Sequence, residues 1–546
     1  MQILSRVSAE WPRFCLAGRR AAMFAVGLLG TFVPVAAAEP PGKGQVILAA
    51  DFESAVPDSA SSNGQQYESG WQSPRALCID SRAGTGGGSP SLRLRLPAET
   101  LRGCTLRGSA MVKADGVSTK PNPWNGIKFM LAIETPDRKL WPQAALETGT
   151  FAWQRAVFTS KIPADATAVT LTLGLEQVTG RVCFDDVKLT VAKPPAAAKP
   201  APAAGVAYTG RDVPRLRGAM IGPHIDEDGL RTLGRDWNAN LIRWQLIRHG
   251  RPGQPSTLAD YDAWLEGELK RLDAALPLCE RYGIYVVVDL HSPPGGKSTV
   301  SGYVGTDDRL FTDRAVQDKF VDVWRGIARR YQGARPIWGF DLANEPVEEF
   351  VEEGCDDWYD LAERTALAIR EIDPQRTIIV EAPPWGSPES LAEFTPIAVP
   401  NVVYSAHMYV PHQFTHQGVH ERDQPPVSYP GQIAGKYWDK EALRAALQPV
   451  VDFQRNYNVH IYMGEFSAIR WAPGDSACRY LRDLIEIFEE HGWDWSYHAF
   501  REWSGWSVEH GPDRNDTAPT SQPTDRQLLL REWFGKNQKP TWTTDH

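Results

Sequence analysis

From residue 211 to about residue 541 the chain repeats one pattern: a short apolar or β-branched run, then a longer stretch whose apolar residues recur at helical spacing. The runs fall at 216–223, 239–246, 283–291, 336–346, 377–384, 402–409, 460–467 and 494–500, and helical patterns at 261–282, 314–332, 356–372, 440–456 and 476–491 lie between them. Continuous apolar runs of this length suit strands covered on both faces. Eight of them alternating with helices predict an α/β chain built on a (β/α)8 TIM barrel. A doubly wound sheet usually has fewer strands and a glycine-rich phosphate turn, and no G-x-G-x-x-G follows the first run.

A barrel carries its chemistry where the strands open into loops at their C-terminal ends. Arg243 stands there on the second run, His291 on the third, Asn344-Glu345 on the fourth, His407 and Tyr409 on the sixth, and Glu465 on the seventh. No lysine at a strand end stands out, which argues against a Schiff-base aldolase. Two carboxylates at one mouth suit glycoside hydrolysis. One acid protonates the leaving oxygen and one carboxylate attacks the anomeric carbon, about 5–5.5 Å apart when configuration is retained. Glu345 and Glu465 sit on strands expected to face each other across the mouth.

The segment Trp338-Gly339-Phe340-Asp341-Leu342-Ala343-Asn344-Glu345-Pro346 resembles the fourth-strand signature of glycoside hydrolase family 5, the cellulase family. Ile461-Tyr462-Met463-Gly464-Glu465-Phe466 resembles its seventh strand, and the likeness extends over most of 215–510. The resemblance implies Glu345 as acid/base and Glu465 as nucleophile. It implies Arg243 and Tyr409 as partners of Glu465, Asn344 as the ligand of the sugar 2-hydroxyl, and His291 and His407 as groups that bind sugar or tune Glu345. The pattern departs from the family on the eighth strand, Trp495-Ser496-Tyr497-His498-Ala499-Phe500-Arg501-Glu502-Trp503, where many members have a stacking Trp. His498 occupies that position, and Trp503, or equally Trp506, would supply the stacking face.

The activity so implied is that of a secreted, retaining β-glycosidase on polysaccharide, foremost an endo-β-1,4-glucanase, needing no cofactor and acting as a monomer. An endo-β-mannanase or exo-β-glucosidase would use the same residues, and a non-catalytic carbohydrate-binding protein is the contrasting class. A zinc hydrolase would draw on His412, His416 and His420, which are spaced four apart. Pro411 and Gly418 interrupt the helix that would align them, so a loop wall beside the substrate groove is expected instead. The acidic run 348–353 reads as a solvated loop.

Before the barrel, 45–191 shows short alternating segments such as Ser91-Leu92-Arg93-Leu94-Arg95-Leu96 and Val169-Thr170-Leu171-Thr172-Leu173, parted by Gly, Pro, Ser and Asp. This period of two predicts an all-β sandwich. Its two ends, Asp51-Phe52-Glu53 and Gly180-Arg181-Val182-Cys183-Phe184-Asp185-Asp186-Val187, resemble jelly-roll carbohydrate-binding modules. That likeness implies a structural Ca²⁺ near Glu53 and Asp186. Trp71, Trp124, Trp141 and Trp153 are candidates for a sugar-stacking platform, although half or more of them belong to a core on general grounds. A Pro/Ala tract at 192–207 should separate this unit from the barrel at 208–541 as a semi-rigid spacer.

Residues 1–38 follow secretory grammar: Arg6, Arg13, Arg19 and Arg20, an uncharged run, then Ala36-Ala37-Ala38, after which cleavage is expected. The run is short for a membrane span of about 20 residues. Six cysteines follow the leader, and Cys78 with Cys104 is the expected pair. The formal charge of -9 gives nucleic acid little to bind, whereas 20 Trp supply flat apolar faces of the kind that stack on sugar rings.

Overall fold

A computed structural model of the chain describes residues 40–53, 60–62, 65–81, 89–195, 201–210, 213–248, 258–296, 309–419 and 425–542. The expected leader, His420 and residues 196–200 of the Pro/Ala tract lie outside the described residues. Among those described, no helix is long and apolar enough to cross a membrane.

The eight apolar runs become the eight parallel strands of one closed barrel. They are β1 (Arg217–Ile221), β2 (Leu241–Gln245), β3 (Tyr285–Asp289), β4 (Ile337–Asp341), β5 (Thr377–Glu381), β6 (Val402–Met408), β7 (Ile461–Phe466) and β8 (Asp494–Phe500). In β1 to β7 every residue is buried, as strands packed between an interior layer and outer helices must be. The outer helices include Tyr261–Tyr282, Arg314–Arg330, Trp358–Arg370, Lys440–Tyr457 and Ser476–Glu490. Asp313, Asp357 and Asp439 cap three of them by accepting a backbone N–H of the first turn.

Inside the barrel, side chains alternate between interior and helix layer. Leu241, Tyr285, Val287, Trp338, Ile379, Val403 and Tyr462 form an apolar cluster of their own. One pleat further along, the inward positions turn polar: Arg243, Asp289, Asp341, Glu381, His407 and Glu465. An apolar plug thus seals one end of the barrel and a charged layer opens at the other.

The preceding unit is two antiparallel sheets packed face to face. One holds Gln65–Glu68, Ala76–Asp80, Arg181–Lys193, Thr105–Val117 and Gly149–Lys161 in that order, with Val46–Ala50 paired to Arg181–Lys193. The other runs Ala60–Ser62, Ser91–Leu96, Ala168–Glu176, Gly126–Glu134 and Lys139–Leu140. Leu92, Leu94 and Leu96 point into the shared core while Arg93 and Arg95 face solvent, which is the alternation the sequence predicts.

Three expectations need correction. The disulfide joins Cys78 to Cys183, and Cys104 is a free buried thiol, as are Cys279, Cys355 and Cys478. Cys78 and Cys183 stand directly opposite each other on adjacent strands. Cys104 immediately precedes the strand Thr105–Val117, in which Lys113 faces Cys183, so Cys104 lies nine residues, roughly 30 Å, along the sheet. Sequence nearness of 78 and 104 does not carry over into strand register. The acidic run 348–353 is no solvated loop, because Arg155, Lys188 and Lys193 of the sandwich pair with Glu352, Glu353 and Glu348. Nor does the tract stand clear of the barrel: Ala203 donates its N–H to the Tyr457 carbonyl, and Asn458 Nδ2 donates to the Ala203 and Gly205 carbonyls.

Candidate active site

Arg243 organises the charged layer. Its guanidinium is fully buried and donates Nη1–H to Glu465 Oε1 (2.6 Å), Nε–H to Asp341 Oδ2 (3.0 Å), and Nη2–H to Glu381 Oε1 (3.0 Å) and Asn344 Oδ1 (3.0 Å). Asp289 Oδ1 lies a further 3.2 Å from Nη2. One rigid fork therefore fixes side chains from β3, β4, β5 and β7, a geometry that a lysine's point charge does not reproduce. Asn344 uses its Oδ1 on Arg243, so its N–H2 group is what it has left to offer a substrate hydroxyl.

Glu465 is gripped from both sides. Tyr409 Oη donates to its Oε2 (2.8 Å), and His498 Nδ1 and His407 Nδ1 stand 3.4 and 3.8 Å from the same oxygen. Burial alone would raise its pKa, but His407, His498, Arg243 and His291 outweigh that and hold the carboxyl well below the ordinary range. Gly464 lets β7 approach β6 this closely: a Cβ there would come 2.6 Å from Ser405 Oγ and 2.8 Å from His407 Nε2.

Glu345 has the opposite environment. Its backbone takes φ 45°, in the left-handed region, held by donation of its N–H to Glu381 Oε2 (2.9 Å). Its Oε1 shares a hydrogen bond with His407 Nδ1 (2.8 Å). Burial pushes its pKa up, with the Glu465 charge adding to the shift and His407 only partly opposing it. Burial likewise works against a proton on His407, yet Glu381, Glu465 and Glu345 overcome it and keep the imidazole protonated well above its ordinary range. A carboxylate oxygen of Glu345, one of Glu465 and a ring nitrogen of His407 all lie within 4.8 Å of one another. Three such atoms are close enough to share a cation, but Arg243, Tyr409 and the imidazole already supply their partners.

The other expected residues fall as follows. His291 is at the same mouth and bonds Asp289 Oδ2 through Nδ1 (2.8 Å). His498 bridges Tyr409 and Glu502, and Gln245 donates to the same Glu502 oxygen. The structure separates the two candidate stacking rings: Trp503 is 40% exposed, while Trp506 is 7% exposed and packed among Tyr409, His416 and His498. His412 and His416 stack on each other at 3.8 Å, and His416 lines the wall behind Tyr409. In the sandwich, Glu53 accepts the Arg75 N–H, while Asp185 is buried and accepts from Trp71 N–H and Ser73 Oγ. Among the described residues, no group of three acidic, His or Cys ligand atoms within 4.8 Å includes Glu53 or Asp186.

Asp289, Asp341, Glu381, Gln245 and Glu502 were not among the expected site residues. The first three had a signal: Tyr-Val-Val-Val-Asp, Ile-Trp-Gly-Phe-Asp and Thr-Ile-Ile-Val-Glu are apolar strands that each end on a carboxylate.

A parallel barrel whose mouth sets two buried carboxyls beside one fixed arginine, one pushed up in pKa and one down, suits glycoside hydrolysis. The chain belongs to glycosyl hydrolase family 5: residues 206–504 match the family model described as cellulase, and the protein is an enzyme that hydrolyses O-glycosyl bonds. It is 32% identical over 262 residues to endoglucanase C of Acetivibrio thermocellus, covering 42% of this chain and 73% of that one. It is 25% identical over 245 residues to cellodextrinase A of Ruminococcus flavefaciens, covering 44% and 70%. A solved structure titled as a glycoside hydrolase aligns with 26% identity and a TM-score of 0.47, over 58% of this chain and 99% of that chain.

Proposed function

We propose that the protein is a secreted endo-β-1,4-glucanase that retains anomeric configuration by double displacement. The observation that carries this is the Glu345/Glu465 pair, with oxygens within 4.8 Å and pKa values driven apart by their surroundings. Glu465, kept ionised by Arg243 and Tyr409, attacks the anomeric carbon while Glu345 gives its proton to the leaving oxygen. Loss of that proton leaves Glu345 able to deprotonate the water that releases the glycosyl-enzyme. Asn344 N–H2 binds the 2-hydroxyl, where a hydrogen bond strengthens in the transition state. His407 couples the two carboxylates, and Trp503 offers an indole to a neighbouring sugar ring. The preference for β-1,4-glucan is supported by the endoglucanases among its relatives, and export by the leader-like segment 1–38.

The sandwich serves as a glycan-binding module on this reading. Trp124 and Trp141 are 63% and 58% exposed, whereas Trp71 and Trp153 are partly buried. The buried ammonium of Lys128 ties the Trp124 carbonyl to Gln143, two residues past Trp141, and to Glu176.

The test is product release from soluble β-glucan, mannan and xylan, with EDTA present, by wild type, Glu345→Ala and Glu465→Ala. Wild type should act on glucan, Glu465→Ala should lose activity, and Glu345→Ala should fall by roughly 10²–10⁴-fold. The first-formed reducing end, followed by proton NMR, should be β. An α product would exclude retention, and mannan or xylan as the sole substrate would replace glucan.

A further inference from the structure

We infer that the sandwich is a positioning device for the acid/base glutamate: its basic sheet face clamps the loop that follows β4 and so holds Glu345 in place. The inference rests on the acid/base role proposed for Glu345. Residues 348–357 contain Glu348, Glu349, Glu352, Glu353, Asp356 and Asp357, and they leave a barrel mouth that already holds Asp289, Asp341, Glu381 and Glu465. Such a segment repels itself and the mouth, so cations must come from elsewhere.

Arg314 and Arg364 of the barrel helices take Asp356, and the cations for Glu348, Glu352 and Glu353 come from one face of one sheet. Thr105 lies opposite Lys193 and Lys161, Arg107 opposite Thr190 and Thr159, and Met111 opposite Arg155, so Lys188, Lys193, Arg107, Arg155 and Lys161 share that face. Lys193 Nζ reaches Glu348 Oε1 (2.7 Å), Lys188 Nζ reaches Glu353 Oε2 (2.6 Å), and Arg155 grips both oxygens of Glu352. The Arg107 and Arg155 guanidinium groups lie 5.8 and 5.9 Å from the Phe350 ring centroid.

The clamp connects to the chemistry through a continuous set of bonds. Glu348, held by Lys193, accepts the Trp358 N–H (2.7 Å), and buried Trp358 donates Nε1–H to the Glu381 carbonyl (2.7 Å). The Glu381 carboxylate in turn holds the Glu345 N–H and Arg243. An isolated exposed ion pair holds little by itself, but several acting on one ten-residue segment, bidentate Arg155 among them, restrict its position together.

The test compares Arg155→Glu/Lys188→Glu, the same pair restored by Glu352→Arg/Glu353→Lys, and Lys161→Glu. Lys161 pairs with Glu393, outside the loop, and controls for general weakening of the contact. In the full-length enzyme, the double reversal should make the backbone amides of 348–357 exchange faster with deuterium and lower kcat about tenfold with a smaller change in KM. The alkaline limb of the pH profile should move toward lower pH as Glu345 gains solvent, and the restored variant should recover all three. Lys161→Glu should resemble wild type. Unchanged amide exchange, unchanged kcat, or an equal effect from Lys161→Glu would overturn the inference. If the clamp effects appear but Glu345→Gln keeps the alkaline limb, the acid/base reading fails and the inference fails with it, while the loop contact itself stands.

Discussion

Glu345, just past β4, and Glu465, on β7, are the same side chain, and their surroundings separate them. Arg243, Tyr409 and two imidazoles face Glu465, whereas burial and a nearby carboxylate dominate at Glu345. The sign of each shift fixes the pH profile. Glu465, with a lowered pKa, stays ionised into acid, and Glu345, with a raised pKa, keeps its proton above the ordinary carboxylate range. The expected kcat/KM profile is a bell whose alkaline limb belongs to Glu345, and Glu345→Gln should abolish that limb on substrates with good leaving groups. Arg243 carries a second prediction. Replacement by Ala would leave Asp289, Asp341, Glu381 and Glu465 buried without the guanidinium they share, a loss of about 3–5 kcal/mol. Because those carboxylates can then take up protons, the deficit in thermal unfolding should shrink as pH is lowered from neutral.

At the scale of single elements, the strand ends decide most of the site. β3, β4 and β5 are apolar until their last residue, which places one carboxylate each at the same height around Arg243. In the sandwich, the strand Arg181–Lys193 carries Cys183, opposite Cys78, and also Lys188 and Lys193, which face the barrel. The disulfide closes a sequence separation of 105 residues, and loss of such a link typically costs roughly 2–4 kcal/mol. Cys78→Ser/Cys183→Ser should therefore lower the sandwich's unfolding temperature in calorimetry, and a reductant should have the same effect on wild type. No change in either would mean that the strand pairing alone holds the sheet.

For the whole molecule, the sandwich has two surfaces with different tasks. One sheet turns its basic face to the barrel loop, while Trp124 and Trp141 remain open beside strands of the other. Trp124→Ala/Trp141→Ala should reduce retention on insoluble glucan, measured by pull-down, while turnover of soluble glucan stays within about twofold of wild type. Retention equal to wild type would remove these two indoles from the binding surface.

Periodicity made the architecture legible from the chain alone. Each of the eight runs predicted from apolar residues is a barrel strand, and Arg243, Asn344, Glu345, His407, Tyr409 and Glu465 all meet at its mouth. Such patterns are local, because burial on both faces makes a strand apolar and leaves a polar residue conspicuous where it ends. Register between distant strands has no local mark. The sequence offered no means of seeing Cys183 opposite Cys78, four carboxylates converging on Arg243, or an acidic loop lying on a basic sheet face. Those contacts join residues 46 to 222 positions apart, and they exist only once the barrel has closed and the sandwich has docked, which is where the charge environments of Glu345 and Glu465 are set.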